Sequence, residues 1–153
     1  MPLKIDGSAG LTFGSSNTQL SSAKIGQVVV TNIAARYTNS ATSFTAFGPT
    51  ISITPKSVNS RILLLASLSV EALTYTYYTF SRSGVEVTGT SYGIVTCQGF
   101  SHWYNQEYSY VDSPNTTSAI TYSIMTRVGS GTLYLNDYGT GNCCQFMAME
   151  ILP

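Results

Sequence analysis

Charge is what this sequence has least of. Lys and Arg number 7 and Asp and Glu 7 in 153 residues, so charged residues make up 9% of the chain, where an ordinary soluble domain carries about 25%. A neutral chain this poor in Lys and Arg has no electrostatic footprint for duplex nucleic acid or an anionic membrane surface, and neither is expected as a partner. Cysteine is scarce too: Cys97 and the adjacent Cys143 and Cys144 are an odd set without a CxxC spacing, and His102 is the only histidine. That excludes a disulfide framework and a zinc site, and the thiols are expected to be small buried hydrophobes. Long apolar runs are absent as well. The longest aliphatic stretch, Ile62 to Leu65, is far too short to span a bilayer, and Met1 to Ala9 has no run of signal-peptide length.

What the chain does have is apolar and aromatic weight. Hydrophobic residues make up 43% and aromatics 12%, with 11 Tyr, which excludes disorder and supplies a core for one domain. A surface so poor in ions is a solubility problem unless something covers part of it.

Residues 1–25 stand apart: small and polar, with isolated Leu3, Ile5, Leu11 and Phe13 and no sustained period. They read as an extended N-terminal arm whose spaced apolar residues are anchors for a groove on a partner. Residues 26–153 read as punctuated β structure. Gln27 to Ala34, Phe44 to Thr54, Arg61 to Val70 and Tyr75 to Arg82 are expected strands. So are Val85 to Val87, Tyr92 to Gln98, Ser101 to Val111, Thr116 to Arg127, Thr132 to Asn136 and Cys143 to Leu152. The Arg61 to Val70 run is apolar enough for a central strand covered on both faces. Turns fall at Pro55 to Ser60, Ser83-Gly84, Asp112 to Asn115 and Gly129 to Gly131. No segment holds a helical period over three turns. The fold class is therefore all-β, an antiparallel β-sandwich. The closing strand, with Phe146, Met147, Met149, Ile151 and Leu152, is too apolar to dangle and is expected inside a sheet.

The stretch Ser43 to Val70 carries Ile51-Ser52-Ile53-Thr54-Pro55, a short Ser-bearing turn, and Arg61-Ile62-Leu63-Leu64-Leu65. This pattern is similar to the small β-domain of tailed-bacteriophage virion proteins, often called tail-fibre or structural proteins. Phe80-Ser81-Arg82-Ser83-Gly84, Asp112-Ser113-Pro114 and the closing Met147 to Ile151 resemble the same family. Gly10-Leu11-Thr12-Phe13 with Thr18-Gln19 resembles a phage-fibre element that precedes a distal domain. The resemblance implies a jelly roll of the tumour-necrosis-factor and C1q type, usually a homotrimer. Tyr75, Tyr77, Tyr78 and Phe80, with Trp103, Tyr104, Tyr108 and Tyr110, are more large aromatics than one small core is expected to absorb, so they are candidates for the subunit interface.

No catalytic constellation stands out. Glu107 and Asp112 flank the aromatic stretch, and Trp103 with Tyr104 offers stacking for a sugar, but Asp112 suits its turn. His102 has no GxSxG elbow to serve. Asn115-Thr116-Thr117 is a sequon without a leader, and Gly129-Ser130-Gly131 and Gly139-Thr140-Gly141 read as hairpin glycines with no helix after them. The expectation is a non-enzymatic structural protein without cofactor or metal. It decorates or cements a phage capsid at the virion surface, docked through its arm on the major capsid protein or another virion protein. The alternative is a tail- or head-fibre tip that recognises a host glycan through the loops Gly84 to Gly93 and Asn136 to Asn142.

Overall fold

The computed structural model describes residues 24–136 and 144–153, together with the backbone of 4–6 and 10–12. Short strands β1 (Lys4–Asp6) and β2 (Gly10–Thr12) pair antiparallel, with Ile5 opposite Leu11. The expected anchors Leu3 and Phe13 lie outside the described residues, as do Cys143 and most of the 136–142 loop. Lys24 and Ile25, counted with the arm from sequence, already belong to β3.

Two antiparallel sheets follow. The first contains β3 (Lys24–Ile33), β4 (Tyr37–Asn39), β6 (Arg61–Ala72), β10 (Phe100–Asp112), β12 (Leu133–Leu135) and β13 (Cys144–Leu152). The second contains β5 (Thr45–Ile53), β7 (Thr76–Arg82), β8 (Val85–Glu86), β9 (Val95–Cys97) and β11 (Ile120–Val128). Several of these are halves of one strand. β12 and β13 line the same edge of β6, with Leu133 opposite Ala72 and Ile151 opposite Arg61. β4 continues β3 alongside them. In the second sheet, β8 and β9 share one edge of β7.

With the halves joined, the described residues of these two sheets form eight successive strands, ordered 1-8-3-6 in one sheet and 2-7-4-5 in the other. That is the strand order of a jelly roll, two interleaved Greek keys. The expected all-β sandwich is what the chain forms, and its closing strand, β13, lies between β3 and β6.

Alternation builds the core. On β6, Ile62, Leu64, Ala66, Leu68, Val70 and Ala72 point at the second sheet and are buried. Ala66 sits between Phe146 of β13 and Tyr108 of β10 in one cross-strand row. Its small side chain leaves space that Phe80 of the opposite sheet fills. The Phe80 ring stacks on Phe146 at 5.5 Å and on Tyr108 at 4.9 Å.

This row corrects the assignment of Tyr78, Phe80 and Tyr108 to a subunit surface. Tyr78, Phe80 and Tyr108 are buried between the sheets. The core absorbs Phe80 and Tyr108 because Ala66 is small in their row. Tyr104 and Tyr110 pack half-buried against the same core. Trp103 is half-buried, and Tyr75 is exposed. Tyr77 lies half-buried on the outer side of the second sheet, where the Arg127 guanidinium rests 3.7 Å from its ring centre.

One irregularity positions β5. Gly48 has φ +91° and precedes Pro49, and the pairing with β11 shifts register there. Positive φ suits glycine, and an edge strand tolerates proline, so the pair makes a bulge without breaking the sheet.

Candidate functional site

The candidate glycan-cleaving pair does not form. Glu107 and Asp112 are five residues apart on β10, so they project to opposite faces. Glu107 is exposed on the outer face and accepts a bond from Ser67 Oγ at 3.2 Å. Asp112 is buried on the inner face, where Tyr122 Oη donates to it at 2.6 Å and Arg82 Nη1 at 3.1 Å. Tyr104, the proposed stacking partner, directs its hydroxyl to within 3.2 Å of the Tyr78 hydroxyl. His102 is exposed on β10.

The thiols behave as packing groups. Cys144 is buried, with its sulfur 3.1 Å from the Ser69 amide, and Cys97 donates to Gln106 Oε1. Burial pushes the Cys97 thiol up, away from reactive thiolate. Among the described residues no group of His, Cys, Asp and Glu is arranged to hold a metal.

Glu150 is the buried charge that sequence reasoning passed over. It lies on the inner face of β13, opposite Ile62, and Asp112 takes the matching place on the other side of Ile62. Its carboxylate accepts bonds from Ser60 Oγ at 2.7 Å, the Lys56 amide at 2.6 Å and Gln27 Nε2 at 2.9 Å. Burial alone would raise its pKa; the bonds from Ser60, Lys56 and Gln27, with the Lys56 charge, outweigh that and hold it below the usual carboxylate range. Both buried carboxylates are thus committed to closing one end of the sandwich. Every ligand they hold is a piece of the same chain.

The feature that remains unassigned by folding is the outer face of the first sheet. Here β3, β13, β6 and β10 lay their outward residues side by side. Val30, Met147 and Leu65 form one row, and Val28, Met149, Leu63 and Val111 the next. Ile25 and Ile151 extend it. Ile25, Val28, Val30 and Val111 are exposed by 63, 46, 50 and 44%. The polar rim consists of Asn32, Gln145, Ser67, Glu107 and Ser109. A depression of about 200 Å³ opens between Leu65, Ser67, Glu107, Gln145 and Met147. The outer face of the second sheet has the opposite chemistry, with Thr50, Ser52, Thr121 and Ser123 on β5 and β11.

The expected two-sided cover of the Arg61 to Val70 strand is met on the inner side only; among the described residues nothing lies over Leu63 and Leu65 from outside. Sequence reasoning missed this face because β3 reads Val28-Val29-Val30, the same residue type on both sides. Its signal was β13, where Met147, Met149 and Ile151 alternate with core residues.

No protein-family model and no curated protein matches the chain. Among solved structures, the chain is similar to the infectious bursal disease virus VP2 subviral particle, with a TM-score of 0.36 and 12% identity. The match covers 83% of this chain and 37% of that one, so the chain spans little more than a third of that protein's length.

Proposed function

We propose that this chain is a non-enzymatic bacteriophage virion structural protein, a jelly-roll head that decorates or cements the capsid and is docked through its N-terminal arm. The observation that carries this reading is where the virion-like segment falls. Ile51 and Ile53 are core residues, Thr54 and Pro55 begin the turn, and Arg61–Ala72 is the central strand of the first sheet. The whole segment builds architecture. The buried carboxylates Asp112 and Glu150 are likewise occupied with holding the sheets together, and among the described residues the outer face of the first sheet is an unspent apolar surface. Such a molecule suits assembly, with copies of itself in a homotrimer and, through the arm, with the major capsid protein or another virion protein.

The test is co-sedimentation with particles of the phage that carries the chain. The full chain is expected to bind, and a chain starting at Lys24, which keeps β3 whole, is expected not to. If the shortened chain still coats particles, docking through the arm is wrong.

A second reading, the fibre tip, draws on Tyr92, which is 67% exposed on the candidate loop 84–93 and lies beside Tyr77 at 6.1 Å between ring centres. An exposed aromatic ring suits sugar stacking. Copy number decides between them: hundreds per particle support decoration, and tens or fewer support a fibre. Binding of the isolated head to host cells, lost in Tyr92→Ala, would favour the fibre.

A further inference from the structure

We infer that the outer face of the second sheet carries a site for carboxylated sugars, uronic or sialic acids, with Tyr92 as the stacking platform and Arg127 as the carboxylate fork. The inference deepens the second reading above and rests on its sugar-stacking Tyr92. It adds the class of sugar and the group that selects it.

The site is built on one cross-strand row. Arg127 of β11 lies opposite Tyr77 of β7, and Tyr77 lies opposite Thr96 of β9. Phe44 directly precedes Thr45, which faces Thr126, so it flanks Arg127 from the β5 side. The guanidinium rests 3.7 Å from the Tyr77 ring centre and 5.5 Å from that of Phe44. Contact with two rings fixes its place. Its Nε, at 3.0 Å, and its Nη2 both donate to the Ser91 carbonyl, which ties it to the 84–93 loop. One edge of the guanidinium is thereby used, and the edge between Nη1 and Nη2 still has donors to offer. Among the described residues no carboxylate pairs with Arg127. The loop's own acid, Glu86, is held by the Thr79 and Thr88 hydroxyls and by the Thr88 and Gly89 amides. An immobilised guanidinium with a free edge is a bidentate receptor for a carboxylate.

Tyr92 supplies the other half. Its ring is 67% exposed and lies 6.1 Å from Tyr77 between ring centres, so platform and fork pack on the same ring. The negative face of an exposed aromatic ring attracts the polarised C–H groups of a pyranose. Ser91 and Thr96 reach solvent beside it and offer hydroxyls to those of a sugar. Uronic and sialic acids carry the carboxylate on the ring that stacks, so one sugar residue meets both groups. A single guanidinium matches the single charge of a carboxylate, whereas recognition of phosphorylated motifs draws on clusters of Arg. The loop is also set in advance: the Ile94 amide donates to the Tyr78 carbonyl at 2.8 Å, and Ser91 is clamped by Arg127. Little ordering is left to be lost on binding.

The experiment is titration of the isotope-labelled full chain, read by NMR, with trigalacturonate against its methyl ester and sialyllactose against lactose. Wild type is expected to bind each acid ~10- to 100-fold more tightly than its neutral counterpart, the range of one charge-assisted pair. Shifts are expected at the amides of 91–94 and at the Arg127 Nε. The two acids compared with each other show which source of the carboxylate is preferred. Arg127→Gln is expected to remove the preference, bringing acid and ester to the same affinity, and Arg127→Lys, a charge without a fork, to keep only part of it. Tyr92→Ala is expected to weaken acid and ester by the same factor. Equal affinity of wild type for acid and ester, or shifts confined to other loops, would overturn the proposal, and neither result depends on a variant. Binding of triglutamate as tight as that of trigalacturonate would overturn the assignment to a sugar. Host-cell binding is read separately. A head that prefers acids but binds no host cell defeats the fibre reading and leaves this site standing; one that binds cells without that preference does the reverse.

Discussion

Ser60 Oγ donates to the Glu150 carboxylate at 2.7 Å, tying the turn before β6 to the closing strand of the chain, 90 residues away. The same carboxylate takes the Lys56 amide and the Gln27 side chain, so β3, the β5–β6 turn and β13 meet at one buried charge. Glu150→Ala leaves these donors without a partner in the core and is expected to cost about 2–4 kcal/mol in denaturant unfolding. The pH dependence has a definite sign. Hydrogen bonding holds the folded pKa below that of the unfolded chain, about 4.3. The contribution is complete above that value and is lost as pH falls through the folded pKa. Acid unfolding midpoints of wild type and Glu150→Gln measure it: the variant is expected to be less stable at neutral pH and less sensitive to acid.

Alkali acts on a different set of groups. Burial pushes the phenols of Tyr78, Tyr108 and Tyr122 far above the ordinary range; Tyr104 adds to the effect on Tyr78, and Asp112 to that on Tyr122. Tyr122 donates to Asp112 and cannot do so once ionised. Their contribution to stability is therefore intact below the unfolded pKa of about 10 and falls as pH rises beyond it. Three protons held by the folded chain and released on unfolding give a slope of roughly 4 kcal/mol per pH unit above that point. In a spectrophotometric titration these phenols are expected to ionise together with unfolding, not before it. A smooth titration of all the tyrosines with the fold intact would contradict this.

Phe146 and Phe80 join the two sheets through stacked rings, at an interplanar angle of 10°. Phe146→Ala opens a cavity beside Ala66 and under the Phe80 ring, and is expected to cost about 3–5 kcal/mol. Against a typical total of about 5–15 kcal/mol, that puts the chain near its limit. Removal of residues 144–153 takes away the strand between β3 and β6, and is expected to leave an unfolded chain by circular dichroism.

Strand positions were legible in the sequence because turn chemistry is local. β6, β7 and β10 begin at Arg61, Thr76 and Phe100, within a residue of the expected starts at Arg61, Tyr75 and Ser101. β11 begins at Ile120, later than expected, because Thr116 Oγ1 takes the Ser118 amide and holds a turn there. β4 was missed, since three residues carry no period. Tyr78, Phe80 and Tyr108 misled for a different reason: the fit of Phe80 depends on Ala66, and the chain gives no sign that the two lie opposite each other. The apolar outer face was hidden in the same way. Whether Val28 or Val29 points outward follows from register against β13, and register is a property of the pair.

Gly93 offers a test of how the 87–94 excursion is held. It has φ +66°, and a Cβ placed there would stand 2.5 Å from the Tyr78 carbonyl oxygen and 3.0 Å from the Phe44 ring. The next residue, Ile94, donates its amide to that same carbonyl at 2.8 Å. The backbone oxygen cannot yield without giving up this bond, which leads into the β7–β9 pairing at Tyr78 and Val95. Gly93→Ala therefore combines left-handed strain with a backbone clash, and is expected to destabilise by about 3 kcal/mol. Gly89 is the control, since it has φ +64° and nothing within 4 Å of its added Cβ. Gly89→Ala carries the strain alone and is expected to cost about 1 kcal/mol. Equal losses at the two positions in urea unfolding would show that the close approach to Tyr78 contributes nothing. A threefold difference would locate the anchor of the excursion at Gly93.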